Sequence, residues 1–454
     1  MLLHGPWNTW AAPERAAWPE GTLTGADEAR FADYADNLAF FEGEQWPERA
    51  RRGEPEPLVF NYARALLRKT ASYVFPAPVT FTVAAGDDHA AREAANQAER
   101  RLTELRDALD LVRLDLALCV DSAVLGDAAM TVTWDHARAS PRVVAVDPGT
   151  LVARWAPDDP RALDEVIQGY GLTGAQVART FPETGVGLEP DRPYPVVERW
   201  AADRWRVLIA GQLVHDVPNP YGWIPYVIVA NDPRPTSFWG TSDLTDLMDV
   251  CRELNRRMTV LARVLELSGA PIAVLENVDG SDGIRVGPGA KWELPEGSRA
   301  YLLDLLQGGG AETHIRYIDL LYRTLHDLSE TPRTAFGDSG RDLSGAALEV
   351  EIQPLVQKVG RKRRTWDGVF AARNAMLLDL LEHFGGEDFL GLRQTSTIWP
   401  PVLPGDVDSA VRNAVALVGS GIRSRRTAMA ALGESDPDAE LARIAEESES
   451  MGRA

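Results

Sequence analysis

The chain has 454 residues, 45% hydrophobic and 25% charged, with a formal net charge of −20. That length holds roughly three domains and a sizeable core, and the acidic balance excludes a general nucleic-acid coat or a binder of acidic membranes. No apolar run spans a bilayer, the first residues lack the basic and apolar regions of a secretory signal, and Cys119 and Cys251 form no CxxC pair, so a disulfide framework and a zinc site are not expected and folding in a reducing cytoplasm is.

Residues 25–41 read as a helix with Phe31, Tyr34, Leu38 and Phe41 on one face. A Pro-rich loop follows, then a helix from about 62 to 73 that stops in the extended "FPAPVTF". Residues 88–130 are helical in composition. From 129 to 229 the pattern turns to short β-rich runs broken by Pro, Gly and Asp. Trp134, Trp155, Trp200, Trp205 and Trp223 all fall there, and core or cross-strand roles are expected for them.

Residues 241–268 give the clearest helix. Leu244, Leu247, Cys251, Leu254, Met258, Leu261 and Leu265 alternate three and four apart, a heptad-like seam. Asp249 with Arg252, and Glu253 with Arg257, are spaced for pairs on the helix surface. Residues 270–310 read as a small β-rich insert with Gly turns. Helix returns over 312–328, with Ile315, Ile318, Tyr322, Leu325 and Leu328 on one side. The polar loop "SETPRTAFGDSGRDLSG" then feeds a long helix, 344–383, in which Pro354 predicts a bend. The tail, 406–454, reads as short helices over 407–418, 425–432 and 439–449. Arg dominates the basic residues: Lys69, Lys291, Lys358 and Lys362 are the only lysines, which reads as a bias of base composition.

No nucleotide-binding, dinucleotide-binding, HExxH or GxSxG motif is present. His136, His215, His314 and His326 are scattered and read as ordinary polar residues. No catalytic residue, cofactor or metal is therefore expected. A hydrolase using acidic residues is the enzyme alternative, and nothing positive carries it.

Four motifs in order over nearly the whole chain resemble those of portal proteins of tailed double-stranded DNA phages. The first is "NLAFFEGEQW" followed by "VFNYARALLRKTASYVFPAPVTF", matching at Phe41, Gly43, Gln45, Asn61 and residues 73–79; Pro76 stands where that family often has Gly. The second is "NPYGWIPYVIVAN" with "FWGTSDLTDLMDVCRELNRRMTVL". The third is "DLSGAALE", residues 342–349, and the fourth "GIRSRRTAMAALGESDPDAELARIAEE".

The resemblance implies an α+β portal-type fold assembled as a homo-oligomeric ring, usually of twelve subunits, at one capsid vertex. Residues 1–240 and 344–405 would be the wing, 241–269 and 312–328 the helical stem, and 270–311 a small β-containing clip. Residues 329–343 would be the tunnel loop and 406–454 a short helical crown. Implied partners are the terminase large subunit, major capsid and scaffolding proteins, a head-completion adaptor, and double-stranded DNA passing through the channel; no membrane is implied. The protein would reside in the virion, and in host cytoplasm during assembly. Gly337, Asp338, Ser339, Gly340, Arg341 and Asp342 would face the DNA, where glycines let a loop change shape cheaply. The basic run "RKRR", 361–364, would lie on the wing and pair with acidic neighbours across subunits. An acidic conduit also suits DNA that must slide, because basic contacts hold DNA strongly. A head–tail adaptor or minor capsid protein shares this context, but is normally shorter and lacks the helix–insert–helix core.

Overall fold

The computed structural model describes residues 18–19, 21–46, 57–86, 88–182, 187–269, 272–277, 294, 296–303, 310–338, 345–403, 407–434 and 437–451. Helix α1 (Gly25–Glu42) starts with a capping box. Thr24 Oγ1 accepts from the Asp27 amide, and the Asp27 carboxylate accepts from the Thr24 amide. It stops at Gly43, which takes φ +108°, the left-handed conformation that glycine adopts without strain. Asn61 caps α2 (Tyr62–Val74) by accepting from the Arg64 amide. Pro76 and Pro78 bar further helix, and the chain extends into β1 (Thr80–Val83). The expected helical stretch 88–130 is two helices, α3 (His89–Ala108) and α4 (Leu111–Leu125), separated at Asp110, which has φ +50°.

Strands β2 (Asp127–Asp135) and β3 (Ser140–Val146) form a three-stranded antiparallel sheet with β9 (Tyr226–Ala230), β2 in the middle. The chain between them is a five-stranded antiparallel meander. Its strands are β4 (Leu151–Ala156), β5 (Asp159–Thr173), β6 (Pro193–Trp200), β7 (Arg204–Ile209) and β8 (Gln212–Pro218), with α5 (Gly174–Thr180) after β5. Trp134, Trp200, Trp205 and Trp223 do core and cross-strand work, whereas Trp155 is 36% exposed and stacks on Phe238. Trp200 faces Trp205 across β6 and β7, with ring centroids 4.7 Å apart, and both indoles donate to Glu198, at 3.1 and 3.0 Å. Trp134 stacks on Phe384, and Trp223 donates to Asp379 at 2.9 Å.

Helix α8 (Gly345–His383) runs through the largest apolar cluster. Leu355, Val359, Trp366, Phe370, Leu377, Leu378 and Leu381 are buried on it, against Val74 of α2, Leu102 of α3, and Met130 and Val132 of β2. Pro354 lies on its exposed side in the first turns. After α8 the chain returns as β12 (Thr395–Ile398), which pairs antiparallel with β1, Thr80 opposite Ile398. Arg373, 1% exposed, pairs with Asp115 of α4 inside this layer. Burial pushes the Asp115 carboxyl above its ordinary value, and the Arg373 guanidinium opposes that rise. Arg373→Met leaves a buried carboxylate unpaired, so a loss of about 3–5 kcal/mol is expected in denaturant titration at pH 8. A carboxyl whose folded pKa is raised favours the folded state as it takes up a proton, so the loss should shrink toward pH 5.

Helix α6 (Met248–Gly269) begins later than the periodicity predicts. Residues 241–247 are turns, because their polar groups are committed elsewhere. The Asp243 amide donates to Ala123 O at 2.9 Å, and Ser242 Oγ donates to the Ala123 and Val124 carbonyls at the C-terminal end of α4. Strands β10 (Ile272–Glu276) and β11 (Arg299–Leu303) pair antiparallel beyond α6, and α7 (Gly310–Leu328) returns beside it. The tail forms α9 (Val407–Gly419), α10 (Arg425–Ala431) and α11 (Pro437–Met451). The fold is α+β.

Candidate functional site: the start of α6 and the turn after α7

The seam residues divide along α6. Leu244, Leu247, Cys251 and Leu254 are buried with Phe40 and Phe41 of α1, Leu66 and Leu67 of α2, and Leu325 of α7. Met258 and Leu261 are half-buried, and Leu265 is 54% exposed. The near half of the periodic stripe therefore packs on the chain's own N-terminal helices, and burial falls along the far half, from Met258 at the edge of the same cluster to the exposed Leu265.

A chain of buried amides fixes this junction. Gln45 is 2% exposed; its Nε2 donates to Asn61 Oδ1 at 3.0 Å and its Oε1 accepts from Asn255 Nδ2 at 2.7 Å. Asn255 Oδ1 in turn accepts from the Phe60 amide at 2.8 Å. Gln45 and Asn61, which carry the N-terminal motif, thus tie the end of α1 and the start of α2 to the middle of α6. Buried amides demand such partners, since an unpaired one is costly.

A second knot lies where β9 ends. Gly240 sits against backbone: a Cβ there would meet Asn231 O at 2.2 Å and Gly126 O at 2.4 Å, so only glycine fits. Asn231 Nδ2 donates to Thr241 O at 2.7 Å and to Asp243 Oδ1 at 2.8 Å. Lys362 Nζ donates to Asn231 Oδ1 at 2.6 Å and lies 2.9 Å from Asp243 Oδ2, with Lys358 Nζ 3.3 Å from that oxygen. Burial alone would raise the Asp243 pKa. The two ammonium groups and the Asn231 amide override it and hold the carboxyl well below the usual carboxylate range. A cavity of about 300 Å³ opens beside this knot, between Asp243, Lys358, Arg361 and Trp366.

The segment after α7 is more ordered than its composition suggests. Ser329 and Thr331 are 2% and 0% exposed, and residues Arg333–Phe336 form a 3₁₀ turn that Gly337 closes at φ +83°. Thr331 O accepts from Nδ1 of His326, a ring enclosed by Tyr322 and Phe336. Burial holds the His326 pKa below its ordinary value. Lys358 Nζ donates to Ser329 O at 3.1 Å, and Arg361 pairs with Glu330. Of the expected tunnel-loop residues, Gly337 and Asp338 are exposed at the end of this turn, with Asp338 paired to Arg333; Ser339, Gly340, Arg341 and Asp342 lie outside the described residues.

The run "RKRR" needs a correction. Arg361 is paired to Glu330, Lys362 to Asp243, and Arg363 donates to Val74 O at 3.2 Å and Pro400 O at 2.8 Å, all within the chain. Lys362 and Arg363 are thus internal anchors of α8, whereas the side chain of Arg361 is 49% exposed. The lysine rarity also carried a meaning that base composition hid. Two of the four lysines stand four apart on α8 and share one carboxylate, where a compact three-donor ammonium fits.

Burial pushes both Cys119 and Cys251 up to about 12, so the thiols stay protonated. Among the described residues no cluster of His, Cys, Asp and Glu could hold a metal, and no helix is long and apolar enough to cross a membrane.

Anchored helices, buried amide ties and exposed apolar side chains such as Leu265, Ile315 and Leu320 mark the described residues. The family described as "Phage portal protein, SPP1 Gp6-like" matches residues 27–453, nearly the whole chain, and the chain belongs to that family. Portal proteins are structural and non-enzymatic components of the bacteriophage virion that serve DNA packaging, as ring oligomers that interact with capsid and DNA. Comparison with curated proteins finds no match.

Proposed function

We propose that this portal closes as a ring of twelve copies whose axis is lined by the α6–α7 hairpin and by residues 337–342, with β10–β11 as the clip and α9–α11 as the crown. The observation that carries the arrangement is the outer face of the hairpin. Ile315 and Leu320 of α7 are 55% and 57% exposed, and Leu265 of α6 is 54% exposed. Large apolar side chains that a subunit leaves in solvent are covered when another surface packs on them. A ring supplies that surface through a heterologous contact repeated until it closes.

In this reading DNA passes the axis during packaging and ejection. The terminase large subunit docks on the clip side, scaffolding and major capsid proteins contact the wing, and the head-completion adaptor binds the clip after filling. Imaging of the purified protein and of Leu320→Glu tests the ring. The unaltered chain should show closed rings with a central hole, and Leu320→Glu should remain folded but shift to subunits or open arcs. Closed rings of unchanged size from Leu320→Glu remove α7 from the interface.

A further inference from the structure

We infer that Lys358 is a positioning residue that holds the turn after α7, residues 329–338, in register with the start of α6, so that a change in the turn's position is felt at α6. The inference rests on the channel reading of residues 337–342.

The geometry is a bridge. One ammonium group, 12% exposed, touches the turn at the Ser329 carbonyl, 3.1 Å away, and the α6 lead at Asp243, 3.3 Å away. Lys362 reaches the same carboxylate, but its second partner is Asn231 at the end of β9, which belongs to the wing sheet. Lys362 thus ties Asp243 to the wing, whereas Lys358 ties it to the turn. A second polar link from α8 to this turn is Arg361 with Glu330, whose side chains are 49% and 38% exposed. Solvent screens that pair, so it holds the turn weakly. The turn cannot leave α8 without taking the Lys358 ammonium, 12% exposed, off the Ser329 carbonyl. Once freed, that ammonium can move further onto Asp243, which alters the balance with Lys362 at the stem lead. Ser329 offers its backbone oxygen, so the contact depends on the lysine and not on the side chain opposite.

Hydrogen exchange on assembled rings of the full chain tests this, comparing the unaltered protein with Lys358→Met, Lys358→Gln, Lys358→Arg and Arg361→Ala. In Lys358→Met the amides of residues 329–338 should exchange about tenfold faster or more, the loss of one hydrogen bond to a charged group, while α8 beyond residue 365 keeps its protection. Lys358→Arg should restore most of the protection, and Arg361→Ala should change it less than threefold. Lys358→Gln keeps a donor for Ser329 without the charge and serves if Lys358→Met does not assemble; intermediate exchange is expected. Unchanged exchange in both neutral variants overturns the inference. So does a uniform rise through α6, α8 and the sheets, which would make Lys358 a general stabiliser. A second readout separates the inference from the reading beneath it. Capsids carrying Lys358→Met rings should fill with DNA severalfold more slowly. Normal filling with a loosened turn overturns the positioning role, whereas normal filling after deletion of residues 337–340 shows instead that the channel reading has failed.

Discussion

Leu254→Asp will yield no rings and little folded subunit. Leu254 is 2% exposed, at the point where α6 meets Phe40, Phe41, Leu66 and Leu67. Truncating such a side chain to alanine costs about 2–5 kcal/mol, and a carboxylate placed there adds the penalty of burying a charge without a partner. Arg252 and Arg257 are already paired with Asp249 and Glu253 on the helix surface. Size-exclusion chromatography and thermal melting report the outcome. Soluble rings with an unchanged melting temperature would mean that this junction does not hold α6. Leu265→Asp provides the contrast. That residue is already 54% exposed in the subunit, so the variant should melt normally while its rings weaken.

Deleting residues 337–340 should leave assembly and melting almost unchanged, because Gly337 and Asp338 are exposed and the packed part of the turn ends at Ala335. Capsids built on such rings should package DNA far more slowly or stop short of full length. The segment is where glycine, aspartate and one arginine would meet moving DNA, with carboxylates limiting the grip of Arg341 on phosphate. Capsids that fill at the normal rate and to the normal length would end the assignment of these residues to translocation.

The long-period features could be read from the residues alone. Helices α1, α2, α7 and α8 follow from apolar spacing and from stops such as Gly43 and the prolines after α2. Strand β5 was not legible. Its Gly169 and Gly171 lower strand propensity, but in the sheet Gly169 makes room for the Trp18 ring, which a Cβ would approach to 2.8 Å. Residues 241–247 continue the helical period of α6, yet tertiary hydrogen bonds to α4 outbid the local preference. Composition made residues 329–336 look like an open polar loop. Ser329 and Thr331 are held by His326, Lys358 and Thr70, drawn from three different helices, and no local pattern announces such convergence. The same holds for Asp243, one of many carboxylates in an acidic chain until its two lysines are brought to it.

The pairing of β1 with β12 has a consequence for synthesis. Val83 opposes Thr395, so one edge of the main core is closed by residues made more than 300 positions apart. Helix α8, which fills that core, is also translated late. At the ribosomal rate of roughly 5–20 residues per second, the nascent chain carries the apolar faces of α2, α3 and β1 uncovered for on the order of half a minute. Helices α6 and α7 with strands β10 and β11 emerge in that interval and would meet other growing chains before β12 closes on β1. A protein built this way depends on its producing cell to keep unfinished copies apart, so its yield of assembled rings should fall with the crowding of polysomes well before it falls with the stability of the finished subunit.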